Sequence, residues 1–267
     1  MLDIQIVSDL HVEFWANKKQ FNFIKPVAPI LALLGDTCCC GNDKDFELFK
    51  RFINEILPLY EQIIFITGNH EYYYNSKTKP EYKNTIEGID EKIKQFFKAT
   101  SNKLYFLNNN SIKLSDGKET YIIIGTTLWS WIPENMRNNI QSQMNDYSYI
   151  YFNNKKPTGL TSNHVSEMFT NNVKYIKNQI AKYKDKYKII IFTHHKPYLS
   201  PNYNNNGLSV AYESDLSFLF DKCINLWAYG HTHISDSSMH KKVWFYSNPK
   251  GYPNQKTNYK KNIAIKV

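Results

Sequence analysis

The stretch IIFITGNHEYYYN, residues 63–75, decides how the chain is read. Its first five residues, 63–67, are of strand length and apolar on both faces, as a strand covered on both sides requires. The run then stops on Gly68 and presents an amide, an imidazole and a carboxylate in succession: Asn69, His70 and Glu71. A turn accounts for the glycine, whose missing Cβ permits tight backbone geometry. It does not account for the polar triplet, nor for the recurrence of the same event elsewhere.

Four other apolar runs end in the same way. Residues 4–7 lead into Ser8, Asp9, Leu10 and His11; 30–34 into Gly35 and Asp36; 188–193 into His194 and His195; 226–230 into His231, Thr232 and His233. Functional groups in open α/β sheets gather at the carboxyl ends of strands. Residues two apart in extended chain point to one side, so Asp9 with His11, and His231 with His233, can each turn two ligands toward one cavity. Imidazoles with carboxylates and one amide suit zinc, iron, manganese or nickel. Calcium would require a shell dominated by carboxylates and carbonyls. The cysteines, at 38–40 and 223, are wrongly spaced for a structural zinc site.

The remaining pattern supplies the frame. Further strand-like runs lie at 121–125 and 243–247, with a last strand at 262–267. Helical stripes run through Phe46, Phe49, Phe52, Ile53, Ile56 and Leu57, with Asp43 as N-cap, through Ile86, Ile89, Ile93, Phe96 and Phe97, and through Val165, Met168, Phe169, Val173, Ile176 and Ile180. A short helix is expected around 214–222. Alternation of strand and helix in the first half predicts parallel pairing there. The Asn-rich segment 132–160 and residues 200–209 read as long surface loops of the kind that border sites. No repeat or linker divides the chain, so one α/β domain over 1–267 is expected.

Composition narrows the function. With 42% hydrophobic residues among 267, the chain can bury a large core. Its net charge of +9 favours anionic partners, but the lysines are scattered and no basic helix is evident. Nucleic acid is therefore possible and not favoured. No apolar run approaches the roughly 20 residues of a membrane span, and the N-terminus lacks a signal-peptide pattern, so a cytoplasmic protein without membrane contact is expected. Oligomeric state is not legible.

The ordered set D-x-H, GD, GNHE, H and GH-x-H resembles the calcineurin-like metallophosphoesterase superfamily, in particular its small stand-alone bacterial-type members. The match runs nearly end to end and includes SDLHVEF (8–14), THHKP (193–197) and NPKGYP (248–253). The resemblance implies a four-layer sandwich of two mixed β-sheets flanked by helices. It also implies two divalent or trivalent metal ions (manganese, iron, zinc or nickel). Asp9, His11 and His233 would bind one, Asn69, His194 and His231 the other, and Asp36 both. A metal-bound hydroxide would attack a phosphodiester or phosphomonoester of a nucleotide or small metabolite, with His70 as the catalytic side chain. Glu71 would orient neighbouring groups. Asn69, His70, His195, Tyr72 and Lys250 are candidate substrate contacts, and a thiol among Cys38, Cys39 and Cys40 could approach the site. A nuclease of the same superfamily and a non-catalytic scaffold are the alternatives. Scaffolds of this fold generally have eroded ligand sets, whereas every position is filled here. Arg51 and Arg137 are the only arginines, which disfavours the arginine-rich protein phosphatases.

Overall fold

The computed structural model describes residues 1–17, 20–152 and 156–267. Its architecture follows from period-two alternation in strands that are apolar on both faces. A first sheet contains β1 (Asp3–Val7), β2 (Ile30–Leu34), β3 (Gln62–Ile66) and β4 (Leu104–Phe106), all parallel. A second contains β5 (Asn110–Ser115), β6 (Thr120–Thr126), β9 (Lys188–Thr193), β10 (Ile224–Tyr229), β11 (Asp236–His240) and β12 (Val243–Ser247). Its four central strands are parallel, and β5 and β11 run antiparallel at the edges. The hairpin β7 (Tyr151–Phe152) and β8 (Thr158–Gly159) stands apart from both.

Alternate residues face different cores. Ile4, Ile6, Ala32, Leu34, Ile64 and Ile66 meet Tyr121, Ile123, Ile190, Phe192, Leu226 and Ala228 between the sheets. The intervening Leu31, Leu33, Ile63 and Phe65 face α1 (Asp43–Ile56) and α2 (Ile86–Thr100). The Phe65 ring lies 5.3 Å from Phe49 and 5.7 Å from Phe97. On the far side, Ile122, Ile124, Ile189, Ile191 and Trp227 pack with Ile176 and Ile180 of α5 (Ser162–Tyr183). Helix, sheet, sheet and helix therefore stack as four layers. The buried Gln5 is tolerated because its amide donates to the carbonyls of Lys25 and Lys261 and accepts from the Tyr60 hydroxyl.

Several expectations change. Asn42, not Asp43, caps α1: its side chain accepts from the Asp45 N–H at 2.9 Å, from one residue outside the helix. The short helix expected over 214–222 shrinks to one turn of 3-10 helix, Ser217–Leu219. The last strand shrinks to β13 (Ile265–Lys266), antiparallel to β1. Segment 132–160 is not a plain loop. It holds α3 (Arg137–Gln143) and α4 (Asp146–Tyr149), pinned by buried Met136, Ile140 and Ile150; its residues 153–155 lie outside the described residues.

Parallel register positions the site. Val7 pairs with Leu33, and Leu33 with Phe65, so β1, β2 and β3 end side by side. Phe192 likewise pairs with Ala228. The two sheets are tied at this edge by Thr67 Oγ1 and Thr127 Oγ1 at 2.9 Å, and within the second sheet the ends of β9 and β10 are joined by the Gly230 N–H donating to the His194 carbonyl at 2.9 Å.

Candidate metal centre

Three of the five strand ends, after β1, β2 and β10, deliver their side chains by a sharp backbone reversal. Asp9, His11, Asp36, His231 and His233 all have positive φ, between 48° and 66°. Such left-handed backbone is unusual for residues with a Cβ and clusters at functional sites. Gly68 lies so close to the Asp36 carboxylate and the His194 ring that a Cβ there would collide with both.

Among the described residues three groups of side chains could hold a metal ion; one, His11, Glu13 and His70, includes the cavity-edge His70, and the other two consist of expected ligands alone. Of these two, one comprises Asp9, His11 and His233, the other Asp36, His194 and His231, with the atoms of each group within 4.8 Å of one another. His233 Nε2 is 3.3 Å from Asp9 Oδ1 and 3.3 Å from His11 Nε2. His194 Nε2 is 3.4 Å from Asp36 Oδ1 and 3.3 Å from Asn69 Oδ1. His11 Nε2 is 4.0 Å from Asp36 Oδ2, so Asp36 stands between the groups.

The outer nitrogens are already engaged. His194 Nδ1 donates to the Leu34 carbonyl at 2.8 Å, His233 Nδ1 meets Gln255 Oε1 at 2.7 Å, and His11 Nδ1 meets Glu13 Oε1 at 3.2 Å. These contacts leave each Nε2 facing inward, the usual way a protein fixes imidazole ligands. His231 Nε2 is buried with no hydrogen-bond partner in the structure. Burial, then the neighbouring His195 and His194, holds this imidazole well below its ordinary pKa, so its lone pair is available. The donor set therefore fits cations: buried carboxylates, inward nitrogens and one orphan nitrogen.

The same charges act on protons. Burial opposes the charge of Asp36, but His194 and His70 outweigh it and hold the carboxyl well below its usual range. Burial also opposes a charged His194, yet Asp36 pushes the ring up to about 10. A proton and a metal ion would compete for that nitrogen.

The cavity beside these groups has a volume of about 360 Å³, and Asn69, His70, Tyr73, Tyr212 and Tyr252 are among its walls. His70 stands at its edge, with Nε2 3.0 Å from the Tyr252 hydroxyl and Nδ1 3.6 Å from Glu13 Oε1. Burial disfavours its charge, but Asp36 and Glu13 prevail and raise it to about 9. Asn69 is aimed by Asp146, whose Oδ1 accepts from its amide nitrogen at 2.8 Å. Glu71 is fully buried; its carboxylate accepts from the backbone N–H groups of Asp36, Thr37 and Gly68 at 2.9, 2.6 and 2.6 Å.

Three expected substrate contacts are placed elsewhere. Tyr72 is buried, with its hydroxyl bonded to Thr67 and Asp90, because the tight turn His70–Tyr72 aims it into the core; Tyr73 faces the cavity instead. His195 is buried behind His231, 4.1 Å between ring centroids, and is absent from the cavity wall. Lys250 lies over the rings of Trp15 and Phe23 at 4.3 and 4.8 Å. The Cys38 and Cys40 thiols are buried and bond to nearby carbonyls, and burial pushes both well up, so they remain protonated and poor ligands. Sequence reading missed Glu13, Asp146, Tyr252 and Gln255. Glu13 lies inside SDLHVEF and was within reach, two residues from His11. The other three meet the site only through the fold.

The chain belongs to the calcineurin-like phosphoesterase family, whose model matches residues 2–235. It is 33% identical over 289 residues to "Uncharacterized protein L509" of Acanthamoeba polyphaga mimivirus, covering 99% of this chain and 96% of that protein. Among solved structures it is similar to the phosphopantetheinyl hydrolase PptH of Mycobacterium tuberculosis, with TM-score 0.67, 14% identity, and 94% and 89% of the two chains covered. A dimetal phosphatase of Danio rerio aligns with TM-score 0.48 and 11% identity over 92% of this chain and 86% of that one. Among the described residues, no helix is long and apolar enough to cross a membrane.

Proposed function

We propose that this chain, acting as one domain over 1–267, is a cytoplasmic, dinuclear metal-dependent phosphoesterase that hydrolyses a small phosphodiester or phosphomonoester. One observation carries the reading: five strand ends converge, with the Nε2 atoms of His11, His194 and His233 turned inward around Asp36 and the His231 Nε2 buried without a partner. Asp9, His11 and His233 would hold one ion, Asn69, His194 and His231 the other, and Asp36 would touch both. Manganese, iron, zinc and nickel all suit these donors. When bound, such ions supply Lewis-acid polarisation of the phosphoester and a water of lowered pKa.

The chain's own residues do the rest. His70 offers Nε2 to the cavity and donates its proton toward the leaving oxygen. Glu13 fixes the rings of His11 and His70 from behind. Asp146 keeps the Asn69 oxygen facing His194. Buried Asp36 receives the His70 N–H at 2.8 Å, which couples the position of that imidazole to the ligand cluster.

The test is hydrolysis of bis(p-nitrophenyl) phosphate and p-nitrophenyl phosphate by manganese-loaded protein, with Asp36→Asn and His70→Ala as controls. Hydrolysis by the native protein, abolished in Asp36→Asn and reduced at least 100-fold in His70→Ala, is expected. No hydrolysis of either ester with two ions bound per chain rejects the reading.

A further inference from the structure

A second chamber opens beside the candidate metal centre. Its volume is about 330 Å³, and it shares Leu208, Tyr212 and Thr232 with the first cavity. Ile234, the residue after His233, adds another apolar wall and is 63% exposed; Leu208 is 37% exposed. Apolar side chains grouped in one chamber and rimmed by polar residues are the pattern of a ligand-binding groove, whereas exposed apolar residues scattered singly are not.

The wall is built to stay in place. Residues 197–212 leave and rejoin the fold at one point, where Lys196 and Glu213 pair as an isolated bridge and their side chains form an ion pair at 3.4 Å, each under a tenth exposed. Glu213 Oε2 also accepts from the Ser200 N–H at 2.6 Å, and the Ser214 N–H donates to the Lys196 carbonyl at 3.1 Å. The Tyr212 ring packs on His231 at 4.8 Å and 33°. The loop thus carries Leu208 and Tyr212 against the ligand cluster on a clamped base.

The charge is as informative as the shape. No lysine or arginine is among the described residues lining either chamber. Lys196 is consumed by Glu213 and by the Tyr198 ring at 4.2 Å, and Lys250 by Trp15. The excess of +9 lies elsewhere. A second phosphate seated here would find no cation, whereas a nucleic-acid track requires cations along its backbone.

We propose that the substrate carries a single phosphate whose alcohol part is uncharged and apolar, seated between Leu208, Tyr212 and Ile234. The inference rests on the phosphoesterase reading of the adjoining centre. It assigns specificity to the second chamber and removes nucleic acids and polyphosphates from the candidate substrates.

Calorimetric titration of manganese-loaded protein with methylphosphonate, hexylphosphonate and a thymidine dinucleotide tests it without turnover. Burying the alkyl chain should make hexylphosphonate bind at least about tenfold tighter than methylphosphonate. In Leu208→Asn the advantage should fall to about threefold or less; each variant is its own reference, so a general loss of affinity cancels. Equal affinities for the two phosphonates, or an undiminished advantage in Leu208→Asn, overturn the apolar chamber and leave the phosphoesterase reading standing. A dinucleotide that binds more tightly than hexylphosphonate overturns it in favour of nucleic acid. Two bound ions with no affinity for any phosphonate reject the centre and the chamber together.

Discussion

Glu71 holds Asp36 by its backbone: the Asp36 N–H donates to Glu71 Oε2 at 2.9 Å, and the Thr37 and Gly68 N–H groups share the same carboxylate. One buried acid thus ties together the loops after β2 and β3, which carry Asp36 and Asn69. Glu71→Gln replaces an acceptor oxygen by a donor facing those N–H groups. A loss of about 2 kcal/mol of stability is expected, together with roughly tenfold weaker metal binding. Urea denaturation and a metal titration check the two effects separately.

Gly68→Ala examines the close approach of β3's end to Asp36 and His194. The added Cβ meets Asp36 Oδ1 and His194 Nε2, neither of which is the tip of a flexible chain. Inductively coupled plasma spectrometry should find fewer than two ions per chain, with phosphoester hydrolysis reduced at least about 100-fold, as expected for ligands displaced from their geometry. Retention of both ions and full activity would contradict the placement of Asp36 beside Gly68.

Tyr252 occupies the His70 nitrogen that faces the cavity, at 3.0 Å. A substrate oxygen bound there must displace the hydroxyl. In Tyr252→Phe this competition disappears, so KM should fall by about three- to fivefold, the worth of one net hydrogen bond, while kcat changes less. Steady-state kinetics on one chromogenic ester distinguishes this from a catalytic role for the hydroxyl, which would lower kcat instead.

Removal of metal should be visible as lost stability. Ions that bind only the folded chain stabilise it by about 2.7 kcal/mol at 100 times Kd. For a chain of this size, that corresponds to a fall in Tm of roughly 5–10 °C on chelation. Differential scanning calorimetry with and without a chelator reads it, and an unchanged Tm would count against tightly held ions.

Asp90 gives a pH signature remote from the candidate metal centre. Its carboxylate accepts from the Tyr72 hydroxyl at 2.7 Å and from the Asn108 amide at 2.6 Å, and burial raises it to about 7. Because its folded pKa lies above the unfolded one, its contribution to stability is fully present below about pH 4 and is lost as pH rises through 7. For a partly exposed group the change is on the order of 2 kcal/mol. Asp90→Asn should flatten this part of the stability profile, measured by urea melts at pH 4.5, 6 and 8. Parallel profiles for the two proteins would show that Asp90 does not titrate there.

The strands that were legible are those buried on both faces, such as β3 and β9, whose Ile and Phe runs have no other use. Edge strand β11, with the sequence DSSMH, carries no such pattern because one face and one edge meet solvent. Helices α3 and α4 were hidden for a related reason: they are short and Asn-rich, and are held by a few apolar residues through tertiary packing rather than by periodicity. Within the site, Asp9, His11, His231 and His233 were legible because local spacing brings them together. Tyr252 was not, since it reaches His70 across 182 residues. Tyr72 and Tyr73 could not be separated without knowing that the chain turns tightly at His70.

The five left-handed residues at the strand ends have a consequence for protein engineering. Among the described residues, eleven non-glycine positions have positive φ, and five of them are Asp9, His11, Asp36, His231 and His233. Each carries a backbone penalty of roughly 1–2 kcal/mol that glycine would relieve. A library screened for heat resistance alone, in the absence of metal ions, would therefore be drawn to these positions and enriched in robust, inert protein. Any campaign to harden this chain needs a turnover assay in the same round of selection.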